Sequence, residues 1–359
     1  MQNNCPISRR LIIPYFIDSR GCSNRCIFCP DHFSAASSDR NKDDEALRDI
    51  VSVYLRGLRP GKYHAIQLAF YGINFTGLER GIQDRLLSLG KEYVSKGSVH
   101  SLRISTRPDC LDEECITRLK CFSVKTVEIG AQSMNDEVLA KSRRGHSSHD
   151  VERALFLLKQ NGIETGVHLM AGLPGDNLNS FIKSVESIID LRPDMLRIHP
   201  VLIFKDTALH ALYLKGQYRP LDLENAVDWC RRAVLRCERA GIPVIRVGLH
   251  PTVKIENDLV AGPYHPAFRS LVEGKIFFDM ASNLLSNVSN GIDEALFKIS
   301  PYDGSAFRGL NNRNMKKLRQ ISDPVKILVQ EDPKHLKGSL TLKAGTASYR
   351  IDRLSMSHG

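Results

Sequence analysis

The sequence predicts an α/β fold: a partial TIM-type barrel of six β-α units, followed by a small C-terminal α+β extension. Three observations predict it. Short apolar runs alternate with amphipathic helical stretches at 30 to 40 residue intervals, the pattern of right-handed parallel β-α units. Polar, charged and glycine residues collect just after the apolar runs, where a barrel gathers its reactive groups. The 359-residue length suits one large domain plus an extension. We place the barrel at residues 1–250 and the lid and extension at 251–359.

The elements follow in order. RLIIPYFID (10–18) reads as a buried first strand. From Asp43 the pattern turns helical, with Leu47, Ile50, Val51, Tyr54 and Leu55 on one face and Gly57 as the stop. AIQLAFYG (65–72) is a strand ending in glycine, and a helix covers roughly 79–96. HSLRISTRP (100–108) is a third strand stopped by Pro108, and a helix runs from Asp112 to about Lys120. VKTVEIGAQS (124–133) is the fourth strand, trailed by helices near 135–141 and 149–161. ETGVHLMAGLPG (164–175) is the fifth strand and loop, and a helix occupies about 177–190. DMLRIHPV (194–201) is the sixth strand; helices near 207–214 and 222–240 come next, then PVIRVG (243–248). The tail mixes a helix, a basic run and two strands, VKILVQ and GSLTLK.

Composition narrows the class. The hydrophobic fraction of 42% and charged fraction of 25% are those of a soluble globular chain. No stretch of 18 apolar residues predicts a membrane span. Arg9 and Arg10 precede LIIPYFI, but that run is short and holds Pro14, so it reads as neither signal peptide nor lipoprotein anchor. Nine cysteines without a leader read as cytoplasmic and reduced. A net charge of +10 admits a polyanionic partner such as RNA without requiring one.

The chemistry centres on GCSNRCIFCP (21–30), where Cys22, Cys26 and Cys29 stand in C-x3-C-x2-C spacing. Thiolates suit iron–sulfur clusters, zinc or copper(I). Cluster-binding cysteines usually come in fours; three leave one iron open. His32 leaves a Cys3His zinc site open as well. A disulfide would strand one cysteine and strain a spacing this tight. Cys110, Cys115 and Cys121 match no cluster spacing, and Cys230 and Cys237 share a helix face that reads as core.

At these cysteines, with Phe28 just before the third, the sequence resembles the radical S-adenosylmethionine (SAM) superfamily over residues 10 to about 275. The resemblance implies a [4Fe-4S] cluster on Cys22, Cys26 and Cys29, with SAM on the open iron and a 5′-deoxyadenosyl radical as the reagent. It also implies a flavodoxin- or ferredoxin-type electron donor. YGINFTGL (71–78) stands where the family has its Gly-Gly motif, nearest to YGGSFT, with Ile73 and Asn74 replacing glycine and serine. That puts Tyr71 and Gly72 beside SAM.

STRPD (105–109), EIGAQS (128–133) and RRGH (143–146) resemble the radical SAM domain of the Elongator catalytic subunit, and coproporphyrinogen oxidases share much of the barrel pattern. By this resemblance Ser105, Gln132 and Ser133 lie near SAM, and Arg144 is offered to its carboxylate. Arg144 reads equally as a solvated charge at a helix start, and His146 as a capping or packing residue rather than a base. Glu128 shares a strand face with Gly130 and Gln132; it contacts cofactor or pairs with Arg103 or another barrel cation. HLMAGLPG (168–175) resembles the family's fifth-strand pattern, which implies that it flanks the ribose and adenine, with Gly172 at its turn. His199 stands where the family has tyrosine.

IRVGLHPT (245–252) and AGPYHPAFRSLVE (261–273) resemble uncharacterised bacterial relatives of the same branch and suggest a rigid loop over the barrel mouth. Arg246, His250, Tyr264 and His265 are its substrate-side candidates. The basic run of Arg308, Arg313, Lys316, Lys317 and Arg319 offers either contacts to RNA phosphate or a solvated helix face. The chain shows neither an acetyltransferase nor a cobalamin domain. The expected activity is radical chemistry on an RNA nucleoside. The alternatives are a small-molecule or tetrapyrrole substrate, and a non-catalytic cluster- or zinc-containing RNA-binding protein.

Overall fold

Seven parallel strands make one curled half-barrel sheet, one strand more than the periodicity predicts. The computed structural model describes residues 10–17, 22, 25–30, 40–59, 63–72, 74–249, 253–288 and 292–356. His32, Ile73 and His250 lie outside the described residues.

The first units are β1 (Arg10–Phe16), α1 (Arg40–Arg56), β2 (Ala65–Tyr71), α2 (Arg80–Ser95), β3 (Ser101–Thr106) and α3 (Glu113–Cys121). Then come β4 (Val124–Gln132), α4 (Asp136–Lys141), α5 (Ser148–Gln160), β5 (Glu164–Ala171), α6 (Leu178–Asp190) and β6 (Met195–Pro200). A two-residue β7 (Ile203–Phe204), α7 (Ala208–Leu214), α8 (Leu223–Arg239) and β8 (Val244–Val247) complete the half-barrel. Its strand order is β1-β2-β3-β4-β5-β6-β8. PVIRVG thus supplies the seventh strand.

Alternation along each strand sorts side chains to the two faces. Ile13, Leu68, Phe70, Leu102, Ile104, Val127, Ile129, Val167, Leu169, Leu196 and Ile198 are fully buried in the main core. Each such side chain contributes about 1.5–3 kcal/mol. Gln67, Tyr71, Arg103, Glu128, His168 and Arg197 take the other face and bond one another across the lumen. Helix starts fall where the capping chemistry dictates. Asp112 accepts from the Cys115 amide, and Ser147 with Asp150 and Asn177 with Ser180 form capping boxes, each worth about 1 kcal/mol. Cys230 and Cys237 are buried, as their helix-face spacing predicts.

The region after residue 250 holds more structure than a rigid loop. A short α9 (Val253–Asp258) leads into β9 (Leu259–Ala261), which pairs antiparallel with β7. Then α10 (Phe268–Leu285) packs on α8. The tail comprises β10 (Glu294–Ile299), α11 (Gly304–Arg308), α12 (Arg313–Ser322), β11 (Lys326–Glu331), β12 (Ser339–Ala344) and β13 (Ala347–Asp352). These strands form one sheet in the order β11-β10-β12-β13, four strands where the sequence predicts two. EALFKI of β10 is rich in helix formers, yet it pairs with both β11 and β12; tertiary pairing overrides propensity there. ASYRID of β13 is a half-exposed edge strand with little apolar signal. Arg353 ties the end of the tail to α8 through Glu238 and to α10 through Glu273, each at 2.9 Å. Among the described residues no helix is long and apolar enough to cross a membrane.

Candidate functional site

Cys22, Cys26 and Cys29 open onto a cavity of about 750 Å³ within the half-barrel. Their loop is anchored from two sides: Ile27 N–H donates to the Ser142 carbonyl at 3.2 Å, and Leu209 N–H donates to the Ile27 carbonyl at 2.8 Å. The C-terminal end of α4 and the start of α7 therefore grip the segment between the second and third cysteines. Burial and the neighbouring thiols push Cys29 up to about 12 and Cys22 up to about 11. Such crowded thiols become thiolates only when a cation takes their protons' place.

Arg144 is the counter-charge. It is 5% exposed; its Nη1 donates to Cys26 Sγ at 3.0 Å and its Nη2 to the Gly130 carbonyl at 2.5 Å. The reading of Arg144 as a solvated helix-start charge is therefore overturned. Its Nε is buried without a hydrogen-bond partner, as is Arg107 Nη1. Arg107 also lines the cavity and is held there by a two-point contact with Asp109 at 2.9 and 2.7 Å. Two buried guanidiniums with spare donors beside three thiols make an anion-holding wall.

The next wall comes from the strand ends. Tyr71, Gly72, Ser105 and Gln132 all line the cavity, as does Phe28. Gly72 has a φ of 136°, and a Cβ there would stand 2.3 Å from the Ile17 carbonyl oxygen, so only glycine lets β2 pass β1 this closely. Gln132 sits at φ 70° after a register shift between β4 and β5. A bulge of this kind re-aims a side chain, and a strained non-glycine residue at a cavity is a mark of a functional position.

Beneath the cavity lies Glu128, fully buried and saturated by protein donors. Its Oε1 accepts from Arg103 Nη1 at 2.6 Å, Tyr71 Oη at 2.7 Å and Arg197 Nη2 at 3.0 Å. Its Oε2 meets His168 Nε2 at 2.5 Å and Arg197 Nε at 2.6 Å. Burial alone would raise its pKa; His168, Arg197 and Arg103 outweigh that and hold the carboxyl well below its usual range. Glu128 is thus the pairing residue, with Arg103 as one partner of several. Gly166 makes room for it: a Cβ there would meet Glu128 Cγ at 2.9 Å.

Four candidates stand elsewhere. Ser133 is buried against Ser184 at 3.2 Å and accepts from Asn135 N–H, shaping the turn before α4. The Gly172 carbonyl accepts from Tyr218 Oη at 2.6 Å, turning it toward Leu221 and away from the cavity. Tyr264 donates to Glu256 at 3.0 Å, and His265 Nδ1 accepts from Ala267 N–H at 3.0 Å. The loop reaches the cavity through Leu249 and Ile255 instead. Arg246 does line the cavity. Sequence reasoning did not single out Arg107, His168 or Arg197. The signal was parity: each is polar and on the inward register, Arg107 just past the end of β3 and His168 and Arg197 within β5 and β6. In the basic run, Arg313 pairs with Glu224 and Arg308 with Glu331.

Two buried histidines, His199 on the cavity and His146 behind it against the Ala131 carbonyl, are held neutral. Burial, then Arg144 and Arg107, lower His146 to about 4. Burial, then His168 and Arg197, lower His199 to about 3. An unfolded histidine takes a proton near pH 6.5, so the unfolded chain binds more protons below that pH. Stability from these two groups is therefore full above about pH 6.5 and falls as pH drops toward 4. Melting temperatures measured from pH 7 to 5 should fall, and the fall should flatten in a His146→Gln/His199→Gln double variant; an unchanged slope would refute the assignment.

Among the described residues no group of three or more His, Cys, Asp or Glu is placed to share a single ion. His32 lies outside the described residues, so the Cys3His zinc reading is not tested by this arrangement.

Known proteins resemble this chain in sequence and fold. A family profile described as the Radical SAM superfamily matches residues 16–188, and one described as the Radical SAM C-terminal domain matches residues 193–277. Over 131 residues the chain is 35% identical to a tRNA uridine(34) acetyltransferase of Methanocaldococcus infernus, covering 36% of this chain and 24% of that protein. The match therefore spans about a quarter of the relative's length. An uncharacterized protein of Methanocaldococcus jannaschii is 26% identical over 210 residues, 56% of this chain and 64% of that one. The structure of the archaeal Elp3 of Methanocaldococcus infernus, with its N-terminus deleted, superposes with a TM-score of 0.59 at 22% identity. It covers 75% of this chain and 63% of that chain, and is alike in fold.

Proposed function

This chain belongs to the radical SAM enzyme superfamily, and from that premise we propose that it modifies a nucleoside of RNA, with Cys22, Cys26 and Cys29 holding a [4Fe-4S] cluster completed by SAM. The observation that carries the reading is the meeting of three thiols, Arg144 and the bulged Gln132 on one cavity. When bound, the cluster and SAM supply a 5′-deoxyadenosyl radical that takes a hydrogen atom from the substrate.

The chain's own residues do the rest. Arg144 offsets the charge on the sulfur side and stays fixed by the Gly130 carbonyl. Tyr71, Gly72, Ser105 and Gln132 present polar and backbone groups for the methionine and ribose parts of SAM. Ile12, Pro14, Phe28, Leu202 and Phe204 wall out water. The RNA reading is supported by the relative named for tRNA uridine(34) and by the net charge of +10. A low-potential flavodoxin or ferredoxin is the proposed electron donor, in a reducing cytoplasm.

The test is anaerobic. After reconstitution with iron and sulfide we expect about four irons per chain and 5′-deoxyadenosine on adding dithionite and SAM. Bulk tRNA should bind with a steep loss of affinity as salt rises. Zinc in place of iron, or an intact cluster that never yields 5′-deoxyadenosine, would sink the catalytic reading. Salt-insensitive or absent tRNA binding would sink the RNA reading alone.

A further inference from the structure

The arginines of the cavity fall into two groups. Arg107 and Arg144 stand with the thiols and feel their charge. Arg197 and Arg246 stand on the last two strands of the half-barrel, in register with each other. Arg197 is in turn in register with His168. Arg197 spends its fork on Glu128 and Tyr71. Arg246, half-buried and cavity-lining, has no hydrogen-bond or ion-pair partner among the described residues. A guanidinium held beside another, partly out of water and without an anion, is unfavourable. Burial, then Arg197, act against its charge and outweigh the more distant pull of Tyr71 and Glu128.

A second group at the same place is also unpaired. His199 lines the cavity and its Nδ1 is buried with no hydrogen-bond partner. The ring is neutral and has a backbone hydrogen bond at Gly248. With one nitrogen so used as donor, Nδ1 is a bare acceptor.

We infer that Arg246 and His199 form a subsite for the leading end of the substrate: a terminal oxyanion, carboxylate or phosphomonoester, on Arg246, with an O–H or N–H donor beside it for His199 Nδ1. This rests on the reading of the cavity as a SAM-and-substrate site. Depth selects a terminal group. Arg246 is level with Arg197 and His168, which bond the fully buried Glu128. A chain phosphodiester would have to drag both flanking nucleotides to that depth. SAM's own carboxylate has Arg107 and Arg144 nearer the thiols. Arg246 is therefore a substrate-specificity residue, and the free protein tolerates its repulsion because the substrate relieves it.

The experiment is a thermal titration of the reconstituted protein saturated with SAM. Acetate and inorganic phosphate are compared with chloride at equal ionic strength. At about 20 mM either anion should raise the melting temperature by about 1–3 °C over chloride. Arg246→Gln should abolish that increment and Arg246→Lys should keep part of it. Without any anion Arg246→Gln should melt no lower than the parent, since it removes a repulsion. A response to acetate alone assigns a carboxylate; a response to phosphate alone assigns a phosphomonoester. The inference is overturned by no increment over chloride, by an equal increment in Arg246→Gln, or by an increment that SAM abolishes. If no iron or SAM binds at all, the cofactor reading fails, and the same titration on the iron-free protein still decides the subsite.

Discussion

Glu128→Gln should destabilise the protein by about 3–5 kcal/mol, the range for breaking a buried charge network by removing one partner. The substitution keeps the shape. It removes the carboxylate that Arg103, Arg197 and His168 share, leaving Arg103 only the longer pair with Glu164 at 3.8 Å, and turns an amide N–H2 toward groups that are themselves donors. Arg103 is 1% exposed and cannot find water instead. Urea midpoints at pH 7 check the size, and a loss under about 1 kcal/mol would refute a central role. The pH dependence has a definite sign. A carboxyl held below its usual value contributes stability that is whole above about pH 4.5 and is lost as pH falls further. The parent should therefore lose more stability than Glu128→Gln below that pH. Adding Arg197→Gln to the variant should recover part of the loss, because it removes one of the charges left unpaired.

That network also marks the limit of what the sequence discloses. The parallel strands were legible because each carries an apolar outer face, and the helices because their caps and periods agree with them. Glu128 facing inward and pairing with Arg103 followed from strand parity and from the cost of a bare buried carboxylate. Its other partners, on β2, β5 and β6, depend on how tightly the sheet curls, which no local pattern encodes. Arg144 shows the same gap at longer range. Its partner Cys26 lies 118 residues away, so only the folded chain separates a cluster-side arginine from a solvated one. Position at a strand end was too coarse for Ser133 and Gly172. Both follow strands of the barrel, but the turn chemistry after each strand carries them off the rim. Inward parity was the better signal, because it also points to His168, Arg197 and His199.

Removing the Cys26 thiol should have the largest effect on function. Cys26→Ala takes one of the three proposed cluster ligands and leaves the buried Arg144 Nη1 without its sulfur acceptor. Iron after reconstitution should fall to a small fraction of the parent, and 5′-deoxyadenosine formation by at least about 1000-fold, beyond the 10–100-fold typical of losing an outer-shell partner. Cys110→Ala is the control. Its thiol sits close by, accepting from Asn74 Nδ2 at 3.3 Å, yet matches no cluster spacing; it should keep its iron. Arg144→Met separates ligation from tuning. All three thiols remain, so iron should load, but a cationic hydrogen bond to sulfur is lost. Such bonds favour the reduced, more negative cluster, so the reduction potential should drop in a spectroelectrochemical titration and turnover with a weak reductant should fall before turnover with a strong one. A potential unchanged in Arg144→Met would mean that the guanidinium only braces the loop against the Gly130 carbonyl, and its effect would then lie in folding rather than in electron transfer.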